Sequence, residues 1–217
     1  MREIDILRRV KLFEGIEEGD FEKLLSCLDA RKLELSKDSF VLLMGEPVQS
    51  IGIILSGTAN IIRENDEGER IIITALQAGN FFGEALCCAE VEESPVSVLT
   101  SSDSKIMLLD FKRILGVCPT GCSFHSRLIK NMLRIIADKN LLLQNRLDVV
   151  SRKSLRAKIL AYFELQANRS GREFTIPFNR EELADHLCAD RSALSHELAR
   201  MKRDGILDYR KNHFHLK

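Results

Sequence analysis

The 217-residue sequence predicts an α+β protein with an N-terminal antiparallel β-barrel or sandwich, a long dimerisation helix and a C-terminal winged helix-turn-helix. Three observations carry this expectation. Short apolar runs punctuated by Gly45, Gly57, Gly79 and Gly83 fill the region from Leu33 to Leu109, the pattern of many short antiparallel strands. Apolar residues then recur every seven positions from Phe124 to Val150, and from Asn179 to Leu207 two helical patterns flank a tight turn.

Residues 2–30 read as short amphipathic helices. The runs SFVLLMGEP, SIGIILSGTANIIREN, ERIIITALQAGNFFGE and SVLTSSDSKIMLLD follow as strands. Asn65-Asp66-Glu67-Gly68, lying between two β-branched runs, is a hairpin signal. In the long helix, Leu128, Ile135, Leu142 and Val149 form one seven-residue series and Ile129, Ile136, Leu143 and Val150 another. A stripe that wide can pack one side on its own barrel and the other on a partner helix. Lys139 and Arg146 fall near the seam and temper it. The heptad pattern ends near Asp148–Ser154, which suggests three regions: 1–123 as a β-barrel sensor domain, 124–150 as a dimerisation helix and 151–217 as a DNA-binding domain.

In that last region Leu155 to Asn168 forms a helix, followed by the Arg169-Ser170-Gly171 turn and a short strand ending at Pro177. Asn179 can cap the next helix, with Glu182 as its reciprocal partner. Leu183, Ala184 and Leu187 face inward. Asp190 caps a second helix whose Leu194, Leu198 and Met201 also face inward. The outward side chains are Arg191, Ser192, Ser195, His196 and Arg200, and a second helix held this way presents its N-terminal polar face to the major groove of DNA. Ile206–Arg210 and His213–Leu216, joined through Lys211-Asn212, read as the strands of a wing.

With 45% hydrophobic and 29% charged residues, the composition is that of a globular protein. No segment reaches the roughly 18 uninterrupted apolar residues of a membrane span, and the charged N-terminus MREIDILRRVKLFE is not a signal peptide. The expected location is the cytoplasm, with no membrane partner and with the six cysteines mostly reduced. The zero net charge hides an asymmetry. Up to Asp110 there are 11 basic against 21 acidic residues, and the remainder has 21 against 11. An excess of positive charge in the C-terminal half suits a polyanionic partner.

The segments ILSGTANI, GNFFGE and LADHLCADRSALSHEL, in this order around a long helix, resemble the cyclic-AMP receptor protein and fumarate–nitrate regulator (CRP/FNR) superfamily of bacterial transcription factors. The resemblance covers nearly the whole chain. It implies a cyclic-nucleotide-binding-like jelly roll, a homodimer, double-stranded DNA as ligand and RNA polymerase as a further partner. It also implies that Arg191, Ser192, Ser195 and His196 read bases, with Arg200 beside them. Arginine can fork onto guanine, while serine and histidine can donate to several base edges. Relatives often carry Glu and Arg where this chain has Ser192 and His196, so a different half-site is expected. The resemblance places an effector pocket at Gly83, Glu84, Ala85, Ser94 and Val96. Cyclic-nucleotide binders carry an Arg-Ser pair about ten residues after the Gly-Glu motif, to neutralise the phosphate. This chain has Glu93-Ser94-Pro95-Val96-Ser97 there, which predicts an effector other than cyclic AMP.

Cys88, Cys118 and Cys122, with His125 close by, are candidates for a metal, an iron–sulfur cluster or redox-active thiols. Cys118-x3-Cys122 is not a common structural zinc spacing, and the N-terminal cysteine cluster of the oxygen-sensing relatives is missing. Cys27 and Cys188 read as small core side chains. Catalysis is not expected: no histidine precedes His125 to ligate a metal inside the barrel, and no glycine turn forms a phosphate-cradling loop. The alternatives are a small-molecule-responsive regulator in which the cysteines play no part, or a non-DNA ligand-binding or protein-interaction module.

Overall fold

The computed structural model describes residues 3–65, 69–116 and 123–217. The chain divides into two compact units, Met1–Ala137 and Asp138–Lys217. In the first, α1 (Glu3–Leu7) and α2 (Phe21–Cys27) precede β1 (Arg31–Leu35), β2 (Phe40–Leu42), β3 (Ser50–Ser56), β4 (Thr58–Glu64), β5 (Arg70–Gln77) and β6 (Phe81–Phe82). Then come α3 (Glu84–Cys88), β7 (Ser97–Thr100), β8 (Ser104–Asp110) and α4 (Phe111–Leu115). Helix α5 (Ser123–Val150) starts in this unit. Asp66–Gly68 of the hairpin signal lie outside the described residues, but β4 and β5 pair antiparallel up to Glu64↔Arg70, as that signal requires.

The strands form two four-stranded antiparallel sheets, ordered β1-β8-β3-β6 and β2-β7-β4-β5. Of the two forms expected, barrel or sandwich, the sheets take the second: they do not close on each other but form a jelly-roll-like sandwich. The cause lies in β3 and β8. Ile51, Ile53 and Leu55 of β3, with Met107 and Leu109 of β8, pack into a core shared with α1, α2 and α5. Ile54 and Ile106 point the other way, onto Ala59, Leu76 and Val98 of the second sheet. The first sheet is therefore a middle layer buried on both faces, which produces a continuous apolar run in place of alternation. At the far edge, β5 pairs only with β4 and leaves Ile71, Ile72 and Ile73 about half exposed.

Two glycines of the resemblance motifs are fixed by geometry. Gly57, in the tight β3–β4 turn, has φ +79°, and a Cβ there would lie 2.3 Å from the Asp103 carbonyl oxygen. Gly83 has φ +87°, and its Cβ would meet the Ser50 carbonyl at 2.9 Å. Side chains at positive φ are strained even where space is free, and here there is none.

The second unit contains the end of α5, then α6 (Leu155–Ser170), β9 (Glu173–Thr175), α7 (Arg180–His186), α8 (Arg191–Arg203), β10 (Leu207–Arg210) and β11 (His213–Leu216). Ser154 caps α6 by accepting from the Ala157 amide. The wing strands pair as expected, and β9 adds a third strand to give the order β10-β11-β9. At the centre of the core Phe163 of α6 meets Phe214 of β11 at 4.4 Å between ring centroids and Phe174 of β9 at 5.5 Å. Among the described residues no helix is long and apolar enough to cross a membrane.

Candidate nucleic-acid interface and sensor site

The helix-turn-helix is built by local chemistry. Asn179 Oδ1 accepts from the amides of Glu181 and Glu182 at 2.9 and 3.0 Å, and Glu182 Oε2 accepts from the Asn179 amide at 2.7 Å. This is the reciprocal capping box expected from the sequence. Leu183, Ala184 and Leu187 of the first helix and Leu194, Leu198 and Met201 of the second are all buried. Cys188 sits in the turn at φ +49° and is exposed, so it is not the small core side chain expected. The chain must double back there to start α8, and that leaves its side chain pointing away from the core. Cys27 is half-buried.

Asp190 caps α8, accepting from the Ala193 amide at 2.8 Å and from the Ser192 hydroxyl at 2.6 Å. The Ser192 hydroxyl and then the Ala193 amide hold the Asp190 carboxyl below its ordinary value of 3.8. Because the folded value is depressed, the cap contributes at neutral pH and is lost only as pH falls through that lowered value.

Arg191, Ser192, Ser195, His196 and Arg200 are all exposed along α8. The two serines differ from expectation in one respect. Ser192 donates to Asp190, and Ser195 donates to the Arg191 carbonyl at 3.0 Å. Their hydroxyl protons are engaged, so in this conformation they offer acceptor lone pairs, suited to exocyclic amines of cytosine or adenine rather than to base acceptors. Arg200 is drawn toward Glu197 at 3.5 Å. Arg191 and His196 are the other exposed donors of this face.

Several positioning residues have no signature in the sequence. Arg156 on α6 reaches Glu197 at 2.5 Å and Asp204 at 2.7 Å, clamping both ends of the C-terminal half of α8. Lys158, on the same helix, donates to the carbonyls of Leu187 (3.1 Å) and Cys188 (3.4 Å), satisfying the open end of α7. Arg180 lies over the Tyr209 and Phe214 rings at 4.8 and 5.1 Å and donates to the Lys211 carbonyl, bracing the wing. These partners lie tens of residues away in sequence, out of reach of any local pattern.

In the sensor unit, Gly83 provides the left-handed N-cap of α3, and Glu84 is buried in its first turn. Ala85 follows on the same helix. Ser94 is also buried, with its hydroxyl donating to the Val96 carbonyl at 2.6 Å. From Gly83 to Ser97 the chain has four glutamates and no basic residue. A separate cavity of about 430 Å3 lies between Val48, Cys87, Val91, Phe111 and Leu115, and none of the five predicted effector residues lines it.

Burial pushes the Cys87 thiol up to about 11, with Cys88 and Glu84 adding to the shift. Cys88 is exposed, yet burial of its sulfur and then Glu84 raise it too. Both are thiols at neutral pH, the unreactive form. Cys118 and Cys122 lie outside the described residues. Among the described residues no group of three His, Cys, Asp or Glu side chains is placed to hold a metal ion. His125 is buried on the first turn of α5, and its Nδ1 has no hydrogen-bond partner among the described residues.

Helix α5 carries two faces. Leu128, Met132 and Ile135 are buried with α1, α2 and the first sheet, while Asn131 Nδ2 donates to the carbonyls of Leu12 and Glu14 at 3.0 and 2.9 Å. Another face is open: Leu133, Leu143 and Leu147 are 65%, 61% and 65% exposed. With Ile129, Ile136, Asn140 and Val150 they follow a strict four-three alternation, a tighter seam than the two series read from sequence. Lys139 and Arg146 flank this seam without belonging to it.

A β-sandwich unit, a long helix with exposed leucines, and a winged helix-turn-helix with an exposed polar face on its second helix define a DNA-binding regulator with a sensor domain. The model of the cyclic nucleotide-binding domain matches residues 32–120, and that of the Crp-like helix-turn-helix domain matches residues 156–217. With both in that order across most of its length, the chain belongs to the CRP/FNR superfamily of transcription regulators. The CRP-like protein Clp of Xanthomonas euvesicatoria is 23% identical over 204 residues, 90% of this chain and 87% of that protein. A putative potassium channel protein of Rhodopseudomonas palustris is 32% identical over 106 residues, 48% of this chain and 24% of that protein, so the chain spans about a quarter of its length. The solved structure of the c-di-GMP-responsive global regulator CLP of Xanthomonas campestris matches with a TM-score of 0.52 at 18% identity, over 92% of this chain and 99% of that one. At that identity the likeness is one of fold.

Proposed function

We propose that the protein is a homodimeric, sequence-specific transcription regulator, acting in the cytoplasm, that reads DNA with α8 of each copy. The observation that carries this reading is the exposed face Arg191, Ser192, Ser195, His196 and Arg200 on a helix capped by Asp190 and clamped by Arg156. A recognition helix must be both solvent-facing and rigidly held. The open seam of α5 supports pairing. In heptad terms Leu133, Asn140 and Leu147 occupy a positions, and Ile129, Ile136, Leu143 and Val150 occupy d positions. A single polar Asn140 among apolar a residues fixes register and favours two strands.

Selection of bound sequences from random duplexes tests the reading. The expected result is a two-fold symmetric site, and His196→Ala should lose about 1–3 kcal/mol at particular base pairs, the usual cost of one base contact. A loss spread evenly over all sequences would restrict His196 to phosphate contact, and failure to enrich any duplex would favour a protein-interaction module.

The same reading gives the sensor unit an effector other than cyclic AMP. Its Gly83–Ser97 segment holds acidic groups only, and the Ser94 hydroxyl is turned onto Val96. An uncompensated cyclic phosphate beside Glu84 would be costly. Calorimetric titration with cyclic AMP is expected to show no heat of binding at micromolar concentration, and a micromolar affinity would overturn the point.

A further inference from the structure

We propose that the DNA-binding unit carries a site for a small aromatic anion, an aryl carboxylate or aryl phosphate, in the cavity between the end of α5, α6 and the first helix of the helix-turn-helix. The cavity has a volume of about 350 Å3, in the range of pockets that hold small organic ligands. Helix α5 presents Arg146 to it, α6 presents Tyr162, Gln166 and Arg169, and Phe178 and His186 close it from the α7 side.

Three features select the ligand. The rings of Tyr162, Phe178 and His186 form one continuous aromatic wall, with centroids 4.9 Å apart for Tyr162–His186 and 4.8 Å for Phe178–His186. A flat ring stacks favourably there. Two guanidinium groups, Arg146 and Arg169, border that wall, and no Asp or Glu lines the cavity. Neither arginine makes an ion pair among the described residues. Planar guanidinium forks match carboxylate and phosphate oxygens. Burial, followed by the Arg146 charge, lowers the pKa of His186 below its ordinary 6.5, which favours the neutral ring in this wall. A bound ligand bridges the last turns of α5 to the helix that supports α8, independently of any effector in the sensor unit.

The test uses the full chain and three probes: 2-naphthoate, 2-naphthyl phosphate and the uncharged 2-naphthylmethanol. The chain has no tryptophan, so naphthyl emission can be followed without background. At least one of the anions is expected to bind tenfold or more tightly than the alcohol. The Arg146→Gln, Arg169→Gln variant is expected to abolish that preference, while Arg191→Gln keeps it. Both arginines are exposed, and the melting temperature of the variant is expected to match that of the parent. No preference for either anion overturns the proposal, as does a preference that survives in the double variant. In a parallel arm, duplex affinity is measured against salt without probe. A slope reduced by about two in the double variant would make the arginines DNA-phosphate contacts and would also overturn it.

Discussion

Replacing Leu143 and Leu147 together with aspartate is expected to yield a folded monomer whose affinity for a two-fold symmetric operator falls by about 100-fold or more. Both side chains are more than half exposed in the single chain, so the substitutions remove no core contact. They place carboxylates in the open seam of α5, where a second copy would have to bury them, and unpaired buried charge is costly. Two linked recognition helices gain on the order of 10²–10⁴ over one through effective concentration, and a monomer forfeits that gain. Sedimentation and duplex titration check the prediction, with unchanged thermal stability as the control. Dimers that persist with parental affinity would locate the pairing surface elsewhere. Asn140→Leu is a useful companion. It removes the one polar a position, so self-association should persist or tighten while two-strand uniqueness is lost.

Phe163→Ala is expected to destabilise the DNA-binding unit by about 3–5 kcal/mol, the range for truncating a buried aromatic side chain. Phe163 is fully buried and joins α6 to β9 and β11 through Phe174 and Phe214. Domains of this size have total stabilities of about 5–15 kcal/mol, so most of the margin would be gone. Urea unfolding should show the C-terminal transition moving to much lower denaturant while that of the sensor unit stays in place. DNA affinity should weaken in step, because the wing and α8 rest on the same core. A loss below about 1 kcal/mol would mean that the aromatic cluster does not organise this unit.

The contrast between these two regions shows what could be read from the sequence. The helix-turn-helix was legible because its determinants are local: Asn179 and Glu182 three residues apart, Asp190 at the start of α8, and apolar residues at helical spacing. The heptads of α5 were legible, but the phase of the seam was not. Leu141, Leu142 and Leu143 in succession fit several faces, and all three are about 60% exposed; the burial of Leu128, Met132 and Ile135 removes one stripe, and only the four-three spacing of Leu133, Asn140, Leu143 and Leu147 then selects a seam. The choice between sandwich and barrel is not legible because strand order is non-local, and the uniform apolarity of β3 does not reveal that helices cover its second face. Arg156 and Lys158 could not be found at all, since the groups they clamp enter the sequence 29 or more residues later.

Two copies joined along α5 should set two α8 helices on one duplex. Hydroxyl-radical footprinting on a selected duplex, with the mass of the complex measured in the same solution, checks both the arrangement and the stoichiometry. The expected result is two chains per duplex and two protected patches on one face, separated centre to centre by one helical turn of roughly 34 Å. A single protected patch with one chain bound, or no protection at low salt, would contradict it.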